Sequence, residues 1–341
     1  MRIKQGLIVT TDEPVAPEPG AQPRTDLTEL ARCLPGEVRH VSKTLAGFGG
    51  LAGKIGLAWK AFWLGARGGD ASAILSSSEI IGLPLAAGLL VARRKTPHVM
   101  VAHKLHTPAR LRLLESGILT RRVAHIVVVS QSQAALLRAH LPKAQQHKLV
   151  FVPRYVDDQF FRPPASSDGE YVLAVGMESR DYATLIRALA ATGLPGRLLA
   201  SSTWAPKGTR MWEGPLPPNV ELVERLDYPA LRDLYAGARF VVVPLVPSVQ
   251  AAGSTTAVEA MAMGKAVVAS DVAGIRDYVQ HGVTGLLVPP TNVPVLAEAI
   301  THLWAHSEEA QAMGQAGRRT VEQEMGLDRY VERMASLVVG K

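Results

Sequence analysis

The sequence predicts an α/β protein built from two doubly wound, Rossmann-like domains in tandem. Three observations predict it. Short apolar runs of strand character alternate with helical patterns along most of the chain, the signature of βαβ units and parallel sheets. The alternation is interrupted at Phe161–Gly169, which holds Pro163, Pro164, Ser166 and Ser167, and then restarts. At 341 residues the chain is long for one core and comfortable for two. The expected domains are residues 1–162 and 163–324, with a final helix over 325–341 that returns to the first domain. A ligand is expected in an interdomain cleft.

In the first half, strands are predicted at Gly6–Thr10, Val38–Val41, Ala73–Ser76, His98–Ala102, Ile126–Ser130 and Leu149–Pro153. Helical spacing falls between them at Leu27–Cys33, Ile55–Gly65, Glu79–Arg94, Arg110–Leu119 and Ser132–His140. The Pro-rich connection Asp12–Arg24 reads as an exposed loop. In the second half, strands are predicted at Tyr171–Val175, Arg197–Ser201, Val220–Val223, Phe240–Leu245, Ala266–Ala269 and Gly285–Val288. Helices are predicted at Tyr182–Thr192, Pro229–Ala236, Val293–His306, Ser307–Gln323 and Leu327–Val338.

Composition narrows the function classes. The single cysteine, Cys33, excludes an internal disulfide and a cysteine-based zinc site and suits a reducing cytoplasm. Met1–Gln5 runs directly into the first strand, so no signal peptide is expected. The longest apolar run, Ile80–Ala92, contains Pro84 and is too short to span a bilayer. Residues 1–162 hold 22 Lys and Arg against 11 Asp and Glu, whereas residues 163–341 hold 15 against 19. A basic first half suits an anionic surface, and a membrane fits better than nucleic acid because no nucleic-acid module is present. The run 54–67 gathers Trp59, Phe62 and Trp63 with Lys54, Lys60 and Arg67. It reads either as an interfacial membrane helix or, more commonly for such patterns, as a helix packed on its own domain.

The stretch 250–270 carries the chemistry. The strand ending at Leu245 runs into a small-residue turn, Ala251–Ser254, and a helix is expected from near Thr255 to Gly264. Free N–H groups of Ser254, Thr255 and Thr256 at a helix N-terminus, beyond the carboxyl end of a parallel strand, suit an anion, and a phosphate above all. Thr256-x-x-Glu259 also fits a capping box, in which Glu259 reaches back to the helix start. His103, directly after the strand His98–Ala102, stands at a strand tip and is either structural or functional.

Other motifs fail. Gly47-x-Gly49-x-x-Ala52 matches a dinucleotide fingerprint but lacks the acid at the end of the next strand. Gly53-Lys54 is followed by Ile55 where a P-loop needs a hydroxyl. There is no D-x-D pair, and Asp157-Asp158 are expected to point different ways, so no metal site is expected.

Thr256-x-x-Glu259-Ala-Met-Ala-Met-Gly-Lys-Ala-Val-Val-Ala-Ser270, then Gly274-x-x-Asp277 and His281-Gly-Val-Thr-Gly-Leu-Leu-Val-Pro289, resembles the donor-site half of family 4 glycosyltransferases of GT-B fold. Val175-Gly-Met-Glu-Ser-Arg180 with Leu185-Ile-x-Ala188 is similar to that family's first donor-domain loop. Ser130, Phe151–Pro153 and Val156-Asp157-x-x-Phe160 are similar to its first-domain ending. The resemblance covers roughly residues 98–310. It implies transfer of a sugar from a nucleotide diphosphate sugar, with retention and without a metal or other cofactor. Taken with Arg180 and the basic first half, the expected reaction is transfer from a UDP- or GDP-linked donor to a lipid-linked, polysaccharide or other acceptor, in the cytoplasm at the inner face of the membrane. The resemblance places the diphosphate over Gly253, Ser254, Thr255 and Thr256, near Gly176, and the ribose on Glu259, whose two acceptor oxygens suit hydroxyls. Arg180 stands where the family has a phosphate-binding lysine. His103 aligns with the histidine beside the transferring sugar.

Two positions depart from that pattern. Ala251 stands where the family's sugar-binding acid lies, eight residues before Glu259, and Gln250 is beside it as a substitute. Met177 replaces a phosphate-binding arginine. These departures keep open an alternative, a GT-B protein that binds a nucleotide sugar with little or no turnover. A nucleotide-sugar epimerase of similar fold is a third class, without acids and histidines that can be placed at the sugar.

Overall fold

Strands apolar on both faces dominate the second half of the chain, and such strands need helices on either side of a parallel sheet. All five residues of Tyr171–Val175 are buried, as are the four from Phe240 to Val243. The computed structural model describes residues 6–10, 20–34, 36–40, 51–67, 71–164, 169–200, 214–248 and 250–340. The Gly47–Gly50 segment of the rejected dinucleotide pattern, the side chain of Lys54 and the loop through residues 12–19 lie outside the described residues.

The first half contains β1 (Gly6–Thr10), α1 (Asp26–Cys33), β2 (Gly36–His40), α2 (Leu51–Arg67), β3 (Ala73–Ser76), α3 (Glu79–Val91), β4 (His98–Ala102), α4 (Pro108–Glu115), β5 (His125–Val128), α5 (Gln131–His140) and β6 (Leu149–Phe151). These strands form a six-stranded sheet of order β2-β1-β3-β4-β5-β6, parallel throughout. The second half contains β7 (Tyr171–Val175), α6 (Tyr182–Thr192), β8 (Gly196–Leu199), β9 (Val220–Leu222), α7 (Tyr228–Ala236), β10 (Ala238–Val243), α8 (Ser254–Ala262), β11 (Val267–Ser270), β12 (Gly285–Val288), α9 (Val293–Ala305), α10 (Ser307–Thr320) and α11 (Leu327–Val339). Its sheet has the order β12-β11-β10-β7-β8-β9, again all parallel.

Alternate residues of one strand serve opposite cores. Tyr171, Leu173 and Val175 of β7 pack with Val241 and Val243 of β10 on one face, while Val172 and Ala174 pack with Phe240 and Val242 on the other. The strand order reverses between β7 and β10. That is the switch point, where loops leaving adjacent strands diverge and open a crevice at the strands' carboxyl ends.

The chain divides into two compact units. One comprises Thr25–Val152, β1 and Tyr330–Lys341; the other comprises Pro153–Arg329 with Arg24. The division after Val152 corrects the expected boundary at 162. Phe160 and Phe161 are buried in the second unit's core, and Val156 pairs with Gly326. Nη1 of Arg318 donates to the carbonyls of Asp158, Phe161 and Ala262 at 3.0, 2.8 and 2.7 Å. The final helix likewise begins within the second unit and passes to the first at Tyr330. Asp157 is fixed by Arg24, whose Nη2 and backbone N–H donate to it at 2.9 and 2.8 Å.

Candidate functional site

At the switch point of the second unit, the loops after β7 and β10 lie against each other. The N–H of Asp181 donates to Pro244 O at 3.0 Å, and the N–H of Val246 to Ser179 O at 3.0 Å. The β7 loop turns on Gly176, at φ 101°, and the β10 loop on Gly253, at φ 80°. Gly253 is the N-cap of α8, and a side chain there fails on two counts. Its φ is left-handed, and a Cβ would lie 2.6 Å from Val243 Cγ1 and 3.2 Å from both Leu245 δ-carbons.

The helix starts at Ser254, one residue earlier than expected, and this corrects part of the anion-site prediction. Ser254 is buried; its N–H donates to Ala251 O at 3.3 Å and its hydroxyl to the same oxygen at 2.7 Å. The N–H of Ser254 is therefore used to close the turn and is not free for a ligand. The N–H of Ala257 donates to Gly253 O at 2.9 Å. Thr255 and Thr256 supply the remaining first-turn N–H groups, the donors that a helix leaves without intrahelical acceptors. Thr255 is exposed, and Thr256 is buried with its hydroxyl turned inward.

Arg180 lies beneath this turn. It is buried, with Nε donating to Val175 O at 3.0 Å, Nη1 to Glu178 O at 2.9 Å and Nη2 to Thr256 Oγ1 at 2.8 Å. Three of its five N–H groups are thus used, two within β7 and its loop and one, on Thr256, tying that loop to α8. Desolvation lowers its pKa, although a guanidinium remains charged. The sequence suggested a side chain reaching out to a phosphate. The geometry makes Arg180 first a brace, one that adds positive potential beside the positive end of the α8 dipole.

Glu259 does not form the capping box. From the second turn of α8 its Oε2 accepts the Tyr235 hydroxyl at 2.8 Å. Burial pushes the carboxyl up to about 7, against the opposing pull of that hydrogen bond and of Arg180. Tyr235, itself fully buried on α7, gave no local signal, because its partner is 24 residues away. Gln250 is half-buried, with its N–H on Ser248 Oγ at 3.1 Å, and Met177 is half-buried in the β7 loop. Ala251 presents no polar side-chain atom to the turn, and its methyl packs on the core.

In the first unit, His103 follows β4 directly, as expected. Its Nε2 lies 3.2 Å from Ser77 O, an acceptor only, so the proton sits on Nε2. The loop carrying it is pinned by Glu79, which spacing alone did not single out. Glu79 is buried at the start of α3; its Oε2 accepts the N–H of His103 at 2.9 Å and its Oε1 accepts Nη1 of Arg110 at 2.9 Å. Gln133 Nε2 donates to the His103 carbonyl at 3.2 Å.

Among the described residues, one group has metal-ligand atoms within reach of one another: His302, His306 and Glu309, around the junction of α9 and α10. Its imidazoles stack at 4.3 Å and 29°, and His302 Nε2 is hydrogen-bonded to Glu309 at 2.8 Å, so the arrangement is satisfied as it stands.

With this geometry in view, similarity to known proteins can be placed. Residues 200–306 match a family model described as "Glycosyl transferases group 1". The matched segment contains α7, the β10 turn, α8 and Glu259. The solved structure of sucrose-phosphate synthase from Thermosynechococcus elongatus superimposes with a TM-score of 0.74 over 98% of each chain at 18% identity. Anabaena HepE, in complex with UDP and glucose, gives 0.72 over 99% of this chain and 100% of its own at 15% identity. The fold is that of GT-B glycosyltransferases. An alpha-D-kanosaminyltransferase of Streptomyces kanamyceticus is 24% identical over 258 residues, 70% of this chain and 66% of that protein. Other curated relatives are matched over 21–27% of their own lengths. No helix among the described residues is long and apolar enough to cross a membrane.

Proposed function

We propose that this protein is a retaining, family 4 glycosyltransferase that moves a hexosyl group from a UDP- or GDP-linked donor to a lipid-linked or polysaccharide acceptor of the cell envelope. The carrying observation is the Gly253–Thr256 turn opening α8 at the second sheet's switch point, with Glu259 on the next turn. The diphosphate is assigned to the N–H groups of Thr255 and Thr256, where the helix dipole and Arg180 both favour negative charge. The ionised Glu259 accepts hydrogen bonds from ribose hydroxyls. As the sugar leaves the diphosphate, charge grows on the β-phosphate, and the fixed dipoles and Arg180 stabilise it without reorganisation. This electrostatic set is proposed to serve in place of a metal ion. His103, held by Glu79 and Ser77, is the residue assigned to the transferring sugar from the first unit. Retention then rests on positioning and leaving-group stabilisation, with no protein nucleophile assigned.

Calorimetry and transfer assays with a panel of UDP- and GDP-sugars test the reading. Binding of at least one nucleotide sugar, lost in Glu259→Ala, is the expected result. Absence of binding to every member of the panel would sink it. The specific observation favouring a binding-only protein is Ala251, with Met177 beside the phosphate position. Intact cellular complementation by Glu259→Ala, with donor binding lost, would be incompatible with either nucleotide-sugar reading.

A further inference from the structure

We propose that one end of the α2–α3 pair is a docking face for an anionic lipid bilayer. This deepens the acceptor side of the proposed reaction and rests on reading that acceptor as membrane-borne. The pair is held unusually close. A Cβ on Gly65 would overlap the Leu85 carbonyl, and one on Gly88 would overlap the Phe62 carbonyl. The contacts 65 with 85 and 62 with 88 make the helices antiparallel, and the next step of three places Trp59 level with Val91. Leu57, Ala61 and Gly65 face inward. Ile55, Trp59 and Val91 are left 62%, 60% and 69% exposed. The aromatic run therefore does not pack wholly on its own domain. Trp59 stands out, touching Phe62 and Trp63 at centroid distances of 6.1 and 5.5 Å.

Among the described residues of α2 and the end of α3, every exposed charge is a cation. Lys60, Arg93 and Lys95 are exposed at this end, and Arg67, two turns further along α2, is exposed with its guanidinium 4.3 Å over Trp63. From residue 51 to 113 there are nine Lys and Arg and two acids. Of those acids, Glu79 is buried and paired with Arg110. Exposed tryptophan and aliphatic side chains flanked by cations match the headgroup zone of an anionic bilayer, where indole sits at the interface and each cation adds attraction.

The backbone supplies an independent argument. α3 ends with the N–H of Arg94 on Leu89 O at 2.9 Å and that of Arg93 on Leu90 O at 3.1 Å. This termination normally places glycine in the left-handed position, yet Arg93 occupies it at φ 53°. A cation thus sits at a strained position that glycine would fill without strain, and retained strain points to a use for the side chain.

Co-sedimentation of the full chain with vesicles of phosphatidylcholine, alone or in equal parts with phosphatidylglycerol, tests the proposal. Binding is expected on the mixed vesicles only, and it should weaken with salt. Trp59→Ala should reduce it about tenfold. Arg93→Gly should reduce it about fivefold while raising the melting temperature. Arg93→Glu with Arg94→Glu and Lys95→Glu should reduce it more than a hundredfold. Equal binding to neutral vesicles, no binding, or binding unchanged in all variants overturns the proposal. A dimer in solution that Trp59→Ala dissolves also overturns it, because the face would then be an interface between copies. UDP-sugar affinity should stay the same in Trp59→Ala. Loss of nucleotide binding by the wild type would strike the sugar-transfer reading and leave the vesicle result intact.

Discussion

Glu259 carries two opposed demands. The proposed ribose recognition would need the ionised carboxylate, whereas burial raises its pKa to about 7. The unfolded chain loses this proton near the ordinary value of 4.5 and the folded chain only near 7, so the folded state binds more protons between those values. Stability therefore falls as pH rises through that window, by roughly 3 kcal/mol, and the penalty is complete above it. Glu259→Gln keeps an oxygen for the Tyr235 hydroxyl and removes the titration. We expect thermal unfolding to show the variant more stable than wild type at pH 8 and equal to it at pH 4. Wild-type nucleotide affinity, measured by calorimetry, should rise from pH 6 to pH 8, and that of Glu259→Gln should be weak and flat. Equal pH profiles for the two proteins would remove Glu259 from the donor site. At this scale Glu259, Arg180 and His103 were visible in the sequence because each lies beside a strand tip or helix start. Tyr235 and Glu79 were not, because their partners come from distant elements brought together only by the sheets. The inward turn of Arg180 was equally hidden, since it depends on carbonyls left unpaired by the β7 loop.

The elements were legible wherever an apolar run ended at a residue that cannot continue it. α6 stops at Gly193, in left-handed conformation, and β7 and β12 have the expected bounds. Bounds shifted where hydrophobicity outlasts the hydrogen-bond ladder. The run to Leu245 reads as strand, but β10 stops at Val243 because Pro244 has no N–H to donate. Pro163 and Pro164 suggested the domain boundary, yet Phe160 and Phe161 just before them belong to the second core. Rotation of α8 by one residue, with Ser254 inside the helix, follows from the same kind of detail. Gly253 sets that rotation, so Gly253→Ala should cost about 2–4 kcal/mol, combining left-handed strain with overlap against Val243 and Leu245. Urea unfolding measures it. Because the turn must move, nucleotide binding should fall with stability. A variant of wild-type stability that binds normally would show that the turn is less constrained than these contacts imply.

Across the whole molecule, sequence and fold part company by half. The segment that matches a glycosyltransferase family model lies in the second unit, whereas the structural likeness to sucrose-phosphate synthase and HepE runs the length of the chain. A parallel sheet asks only for buried apolar strands and amphipathic helices, which many sequences provide. A phosphate turn asks for glycine at one φ and small hydroxyl residues after it. The second unit was therefore readable at residue level, and the first only as architecture and charge. The separate cores imply a separable response to ligand: one set of buried residues serves β3–β6 and its helices, and another serves β7–β12. A nucleotide at a hundred times its Kd stabilises the state that binds it by about 2.7 kcal/mol, which slows exchange through opening of that state roughly a hundredfold. Hydrogen exchange with UDP should accordingly show new protection in β7, β10, α8 and the loops after β7 and β10, while amides of β3–β6 keep their rates. Protection spread evenly over both units, or confined to the first, would place the nucleotide elsewhere than the Gly253 turn.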